Sequence, residues 1–170
     1  MKHTEWIEEA LREHERSLLN FASSMVGPHY AAEAVQETFL RLCQQEQQSV
    51  SGHLRAWLFS VCKNLCRDIL RKRRHLMGAL ETDGLQSQEA APALHVEKQQ
   101  ELTRIRHWMQ TLPASQQEVL SLKFSSELSY KEIAEVMDMS TSQVGVLLHR
   151  AVSSLKDKMN KEQEKGGKHE

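Results

Sequence analysis

The chain has 170 residues, a formal net charge of -1, aromatic residues at 5%, seven glycines and three prolines. A chain of this length can bury one core or two small ones, and this composition favours helices over a β-sandwich or barrel. No apolar run approaches the length of a membrane span, and the first residues lack a signal-peptide core, so we expect a cytoplasmic protein. The three cysteines, Cys43, Cys62 and Cys66, are expected to be reduced thiols there.

Apolar residues at helical spacing predict two helices near the start of the chain. The first begins at Thr4, as its cap, and ends near Ser24. Pro28 suits the entry of the second helix, which is predicted over residues 29–46. The polar segment 44–53 is predicted to be a loop.

A longer helix, predicted over residues 54–74, carries an unusual concentration of charge. Six of the chain's 22 Lys and Arg residues fall within its last twelve positions. Four of them share a sector of about 80° on a helical wheel and define a basic stripe: Lys63, Arg67, Arg71 and Arg74. Only Asp68 offsets this charge, so the pattern favours phosphate binding over a merely solvated face. Asn64 adds a side chain able to read a base edge.

Residues 76–98 lose the apolar periodicity and are rich in small and polar residues, which predicts a flexible linker and a domain boundary. The expected fold is therefore all-α, with two small helical domains joined by this linker. The predicted divisions are residues 1–75, 76–98, 99–160 and, as a disordered tail, 161–170.

The second half is predicted to contain a helix over residues 99–111 and three more with capping boxes. Each box pairs a serine with a Glu or Gln three positions later: Ser115 with Glu118, Ser129 with Glu132, and Ser140 with Gln143. They predict helices near residues 116–125, 130–137 and 141–158.

The last two of these helices have the layout of a helix-turn-helix, within the segment YKEIAEVMDMSTSQVGVLLHRA. Asp138 stands at the turn, and Asp is one of the few residues besides Gly that tolerate a left-handed conformation. The second helix could enter a major groove of DNA. Its exposed side is predicted to carry Thr141, Ser142, Gln143, Val146, His149 and Arg150. A plain helical hairpin is the alternative.

Three segments resemble the extracytoplasmic-function (ECF) group of sigma factors, in the sigma-70 family of bacterial RNA polymerase. They are AVQETFLRL, HLRAWLFSVCKNLCRDILRKRRH and LPASQQEVLSLKFSSELSYKEIAEVMDMSTSQVGVLLHRAVSSL, and the resemblance covers about residues 10–75 and 100–158. It implies that the first block is region two, which binds the β′ clamp helices of core polymerase and opens the start-proximal promoter element. The second block would be region four, which binds the upstream element and touches the β flap.

The resemblance also implies roles for individual residues. The clamp-binding residues would be Glu33, Gln36, Glu37 and Phe39. A loop with Ser49, Ser51 and His53 would receive a flipped base. The DNA-facing helix would present Lys63, Asn64, Asp68, Arg71 and Arg74, and Arg67 and Lys72 of the same helix are added to the predicted DNA-binding residues for their charge. In region four, His149 and Arg150 match the family pattern, and the helix-turn-helix layout adds Lys131, Thr141, Ser142 and Gln143 to the predicted DNA-binding residues.

Region four departs from the common pattern in its second helix, where Gly145, Val146 and Leu147 replace Lys, Ser and Arg. We therefore expect its own hold on DNA phosphates to be weak. Glu127 also stands where the family usually has Gly.

Two other functions are alternatives to the sigma factor. A stand-alone helix-turn-helix regulator explains the second half but leaves the basic stripe unused. An enzyme or metal sensor that uses Cys62, Cys66 and a histidine fits less well, because cysteines at this spacing are better explained as small buried apolar residues. We expect no catalysis, metal or cofactor, and the sequence leaves open whether an anti-sigma protein restrains the chain.

Overall fold

The computed structural model describes residues 2–79 and 96–167, and every element in these two ranges is helical. The N-terminal half contains α1 (Lys2–Val26), α2 (Pro28–Cys43), α3 (Gln47–Val50) and α4 (Leu54–Ala79). The C-terminal half contains α5 (Val96–Gln110), α6 (Ala114–Leu120), a π-helical turn (Ser121–Ser125), α7 (Tyr130–Met137) and α8 (Thr141–Gly166). The all-α prediction is confirmed. Most of the predicted linker, residues 80–95, lies outside the described residues.

The N-terminal half is a bundle in which α1, α2 and α4 pack against one another. Phe21 of α1 and Phe59 of α4 are both fully buried and meet edge to face, with ring centroids 5.5 Å apart. Thr38 of α2 is also fully buried, and its hydroxyl donates to the Ala34 carbonyl oxygen at 2.7 Å, which satisfies the polar group. Gly27 takes a φ of 84° between α1 and α2, a left-handed conformation that suits glycine.

Several helix ends in this half differ from the prediction. The first helix begins at Lys2, so Thr4 lies inside α1 and is not its cap. The predicted loop over residues 44–53 contains the short helix α3, whose Val50 is 2% exposed and anchors the segment in the core. Helix α4 continues to Ala79, five residues beyond the predicted end.

In the C-terminal half, two of the three capping boxes are confirmed. Ser129 and Glu132 cap α7, and Ser140 and Gln143 cap α8, each with both reciprocal hydrogen bonds. Asp138 ends α7 with φ 53° and ψ 54°, the left-handed conformation expected at the turn. These local hydrogen bonds fix the ends of the helix-turn-helix.

The third capping box, Ser115 with Glu118, is wrong. Helix α6 begins at Ala114 after Pro113, and no side chain caps it. Glu118 instead forms an ion pair with Arg67, which lies 51 residues earlier in the chain. The predicted disordered tail is also wrong over residues 161–166, where α8 continues as an exposed helix.

None of the helices within residues 2–79 and 96–167 combines the length and apolar character needed to cross a bilayer.

Exchanging His14 for Gln is expected to make stability less sensitive to mild acid. His14 of α1 is 8% exposed, and burial is the main cause that lowers its pKa below 6.5. Arg55 lowers this pKa further, whereas the carboxylates of Glu13 and Glu132 oppose the shift. The unfolded chain then binds more protons than the folded chain between the lowered pKa and 6.5, so the free energy of unfolding falls as pH drops through that window.

Urea unfolding at about pH 7 and about pH 5 measures this loss, which His14→Gln should reduce. The exposed His53 offers a matched control, since His53→Gln removes a histidine from the surface. An equal loss of stability in His14→Gln and the wild type would contradict the assignment.

Candidate polymerase and nucleic-acid interfaces

Helix α2 presents a polar face to solvent. Glu33 and Gln36 are exposed, Glu37 is half-buried, and Arg41 donates through Nε to Glu37 Oε1 at 3.1 Å. Leu40 joins them with 53% of its surface exposed. Leu40 is not among the predicted polymerase-binding residues, although its seven-residue spacing from Glu33 places it on the same face.

Phe39 does not belong to that exposed face. It is 8% exposed and packs in the core of the N-terminal half. Its ring can support α2 from behind, whereas the exposed side chains of α2 are the ones able to touch a partner.

The residues proposed to receive a flipped base lie in α3, which contains Ser49, and in the turn between α3 and α4, which contains Ser51 and His53. Ser49, Ser51 and His53 are all accessible to solvent. The Ser49 hydroxyl donates to the Glu46 carbonyl oxygen at 2.7 Å, and Gly52 takes a φ of 84°. Together these features hold a tight polar loop before the start of α4.

The basic stripe on α4 is divided between two environments. Its C-terminal part is exposed, together with neighbouring polar residues: Asn64, Arg71, Lys72 and Arg74. Lys63 and Arg67 contact the C-terminal half of the chain instead. Arg73, outside the stripe, donates through Nη1 to the Val26 carbonyl oxygen at 3.2 Å and lies over the Tyr30 ring.

Arg67 and Glu118 form a bidentate ion pair. Arg67 Nε lies 2.9 Å from Glu118 Oε1, and Nη2 lies 2.6 Å from Oε2. The Glu118 side chain is 3% exposed and that of Arg67 is 47% exposed. The hydrogen bond to Glu118 is the main reason that the pKa of Arg67 is raised.

Lys63 is buried against α7, with 5% of its surface exposed. Its Nζ donates to the Val136 carbonyl oxygen near the C-terminus of α7, where the helix dipole favours a cation. Burial is the main cause that lowers the pKa of Lys63, and the charge of Arg67 adds to it. In this conformation Lys63 cannot reach a phosphate.

Arg55 and Ser24 also join the halves. Arg55 of α4 donates to the Ser126 carbonyl oxygen, and its Nη1 lies 3.8 Å from Glu132 Oε2. The hydroxyls of Ser24 in α1 and Ser121 in the π-helical turn are 3.0 Å apart. We call the set of residues that joins the halves the interdomain contact: Ser24, Arg55, Lys63 and Arg67 with Glu118, Ser121, Ser126, Glu132 and Val136.

The helix-turn-helix leaves its predicted DNA-reading side open. The exposed residues are Thr141, Ser142, Gln143, Val146, His149 and Arg150 on α8, and Lys131 on α7. Gln143 Oε1 accepts from the Ser140 backbone N–H at 2.9 Å, so the amide group has its Nε2 donor left for a ligand. A Cβ at Gly145 would lie 3.8 Å from the Tyr130 ring, an ordinary contact, so this packing does not require glycine.

The cysteines do not form a metal site within the described ranges, where no three His, Cys, Asp or Glu side chains could hold an ion. Cys62 and Cys66 are fully buried one turn apart in α4, as expected of small apolar residues. The pKa of the Cys66 thiol is raised mainly by its hydrogen bond with Cys62, and burial raises it further.

Comparison with known proteins gives two family matches. Sigma-70 region 2 matches residues 10–76, and sigma-70 region 4 matches residues 102–155. The first match contains the polar face of α2 and the basic stripe. The second contains the helix-turn-helix.

Curated relatives match most of the chain. The ECF RNA polymerase sigma factor SigM of Bacillus subtilis is 31% identical over 91% of this chain and 96% of its own length. The RNA polymerase sigma factor YlaC of the same organism is 29% identical over 96% and 98%. The ECF RNA polymerase sigma factor EcfG of Rhodopseudomonas palustris is 34% identical over 82% and 77%.

Two solved structures share the fold. The sigma factor RpoE of Bartonella quintana, in complex with the anti-sigma factor NepR, has a TM-score of 0.73 and 22% identity, covering 90% of this chain and 96% of that one. CnrH, in complex with the cytosolic domain of CnrY, has a TM-score of 0.66 and 21% identity, covering 91% and 87%. With both sigma-70 regions in order and relatives matched along nearly its whole length, the chain belongs to the ECF sigma factors of the sigma-70 family.

Proposed function

We propose that this chain is a dissociable, non-catalytic specificity subunit, which directs core RNA polymerase to a set of promoters and helps to open the DNA. The observation that most supports the proposal is the presence, on one chain, of the exposed polar face of α2 and the exposed reading side of α8. The first face suits a protein partner and the second suits a major groove. Both partners are found in the cytoplasm, where we place the chain.

In this proposal, region two works by holding phosphates and capturing one base. Arg71, Lys72 and Arg74 are the exposed cations able to bind the DNA backbone. The segment with Ser49, Ser51 and His53 would receive a base removed from the stack, and the free-energy cost of unstacking that base is on the order of a few kcal/mol. Binding energy on the opened strand offsets that cost, and the chain itself makes or breaks no covalent bond.

The experiment that tests this function is reconstitution with core polymerase. Purified chain added to core enzyme should yield transcripts from a restricted set of start sites on genomic DNA, and the mapped starts should share two upstream elements. Transcription identical to that of core enzyme alone would contradict the proposal. Tight sequence-specific binding of duplex DNA by the chain without polymerase would favour the stand-alone regulator instead.

We further propose that an anti-sigma protein restrains the chain. Support comes from the similar fold of RpoE, which was solved with the anti-sigma factor NepR. Affinity purification of the chain from its native cells should recover one dominant small partner that blocks transcription in the reconstituted system. Recovery of core polymerase subunits alone would argue against such a partner.

Gln143 and Val146 point to thymine as a base read by α8. Thymine offers an acceptor oxygen and a methyl group in the major groove. The remaining Nε2 donor of Gln143 can bind the thymine oxygen. Val146 lies three residues further along the same face and is 53% exposed, so it can contact the methyl group. Deoxyuridine in place of that thymine should weaken holoenzyme binding about fourfold, because one buried methyl contributes about 0.8 kcal/mol.

Val146→Ala should remove most of that discrimination between thymine and deoxyuridine. Filter binding of holoenzyme to the paired promoters measures it, and thymines outside the upstream element serve as the control. Equal discrimination by Val146→Ala and the wild type would rule out this contact.

A further inference from the structure

The interdomain contact uses cations from the helix that the proposed function assigns to promoter DNA. Lys63 and Arg67 belong to the basic stripe, and both are engaged by region four. We infer that this closed arrangement is self-inhibiting: region four buries Lys63 and pairs Arg67 with a carboxylate, and the two cations become fully available to DNA only when the two regions separate. This inference rests on the proposed function.

The ion pair between Arg67 and Glu118 supplies the main specific link. Glu118 occupies the Nε–Nη2 edge of the Arg67 guanidinium, which leaves only the Nη1–Nη2 edge for a phosphate, and the carboxylate offsets the positive charge that would attract one. Glu118 is 3% exposed on α6, so it cannot swing away into solvent while the contact persists. A phosphate must therefore compete with a carboxylate that is already in place.

Lys63 is covered more completely than Arg67. Its amine is buried at the end of α7 and donates a hydrogen bond to a backbone carbonyl oxygen. The negative charges of Glu118 and Asp138 are close enough to interact with it. With 5% of its surface exposed and its amine bonded to Val136, Lys63 is not accessible to a DNA backbone in this conformation. Release of Lys63 requires α7 to move away from α4.

The interdomain contact engages cations of region two but leaves the DNA-reading side of α8 open. Thr141, Gln143 and Arg150 on α8 stay exposed in the closed arrangement, as do Arg71 and Arg74 on α4. The closed chain thus keeps the surface proposed for the upstream element, while one cation proposed for the start-proximal element is buried and another is paired with Glu118.

Glu118→Gln separates the closed arrangement from DNA binding itself, because Glu118 is not among the residues assigned to DNA. The full-length chain, without polymerase, is titrated against a fluorescent single-stranded DNA of mixed sequence and about 20 nucleotides, at several salt concentrations. Two added phosphate contacts on a single strand should steepen the slope of log K against log salt by about 1.4. At low salt we expect about tenfold tighter binding, since losing a hydrogen bond between charged groups favours the open form.

Two further variants separate opening from a simple change of net charge. Glu135→Gln removes the same charge from an exposed position of α7, and it should leave the slope unchanged. Arg55→Gln breaks the contact from the region-two side while removing a positive charge, so charge alone predicts a shallower slope and opening predicts a steeper one. Circular dichroism checks that each variant keeps its helices.

Small-angle scattering gives a readout that does not depend on DNA. The radius of gyration should increase in Glu118→Gln and Arg55→Gln but not in Glu135→Gln. Equal salt slopes for Glu118→Gln and Glu135→Gln, with no expansion of either variant, would overturn the inference while leaving the proposed function intact. Failure of the wild-type chain to direct core polymerase would instead overturn the function.

Discussion

Exchanging both Glu33 and Glu37 for lysine is expected to weaken binding to core polymerase about 100-fold. Both carboxylates lie on the outward face of α2, and like charges brought together across an interface cost several kcal/mol. A 100-fold loss corresponds to about 2.8 kcal/mol, which is within that range. The fold should survive, since Lys and Glu have similar helix propensities. Losing the Glu37–Arg41 pair removes only about 0.3–0.5 kcal/mol.

The measurement is a fluorescence titration of labelled chain with core polymerase, accompanied by circular dichroism. Glu5 and Glu9 provide a matched control, because they are exposed on α1 at the same four-residue spacing. If the Glu5→Lys, Glu9→Lys chain loses as much affinity as the α2 variant, the effect is one of net charge and α2 is not the polymerase-binding face.

The parts of the fold that could be predicted from the sequence are those fixed by local chemistry. The ends of α7 follow from Ser129 and Glu132 at one end and from the left-handed Asp138 at the other, all within ten residues. Such a capping box costs the chain little entropy, so its pattern is a dependable signal. Ser115 and Glu118 carry the same pattern, yet the carboxylate is bound by Arg67 across the interdomain contact. A pattern within one helix holds no information about a partner on another.

In the candidate sites, too, features that depend on one helix could be predicted, whereas features that depend on contacts between helices could not. Helical periodicity correctly separates the exposed Glu33 and Gln36 from the buried side of α2, because that separation depends only on angle around the helix. The resemblance predicts a partner-binding role for Phe39, but its ring is apolar and lies in the core. The angular position of Lys63 around α4 likewise places it on the basic stripe, but it does not reveal that α7 covers that part of α4.

The covered and exposed parts of the stripe differ in what they can contribute before and after region four moves. In the closed arrangement, Arg71 and Arg74 can meet DNA first, since neither contacts the C-terminal half in the described structure. Lys63 and Arg67 can add their charges later. Opening of the chain and engagement of the DNA are therefore coupled steps, and each should have its own salt dependence.

Replacing Arg71 and Arg74 with alanine is expected to reduce promoter opening and to flatten its salt dependence. The Arg71 side chain is 70% exposed, and its contact with Asp68, at 3.3 Å, is a surface pair that a phosphate can displace. Each phosphate contact on duplex DNA contributes about 0.9 to the slope of log K against log salt. The slope should thus fall by about 1.8, and the loss of affinity between about 50 and 200 mM salt should become about tenfold smaller.

Permanganate footprinting of the open complex, formed by holoenzyme across that salt range, measures both effects. Arg12 and Arg16 supply the matched control, because they are exposed on α1 four residues apart and carry no proposed DNA contact. Their replacement removes the same net charge, so any change that it produces reports long-range attraction rather than bound phosphates. A slope that falls equally in the two double variants would show that Arg71 and Arg74 only attract DNA from a distance. A fall confined to the α4 variant requires that their guanidinium groups contact the backbone, because counterions are released where phosphates are neutralised.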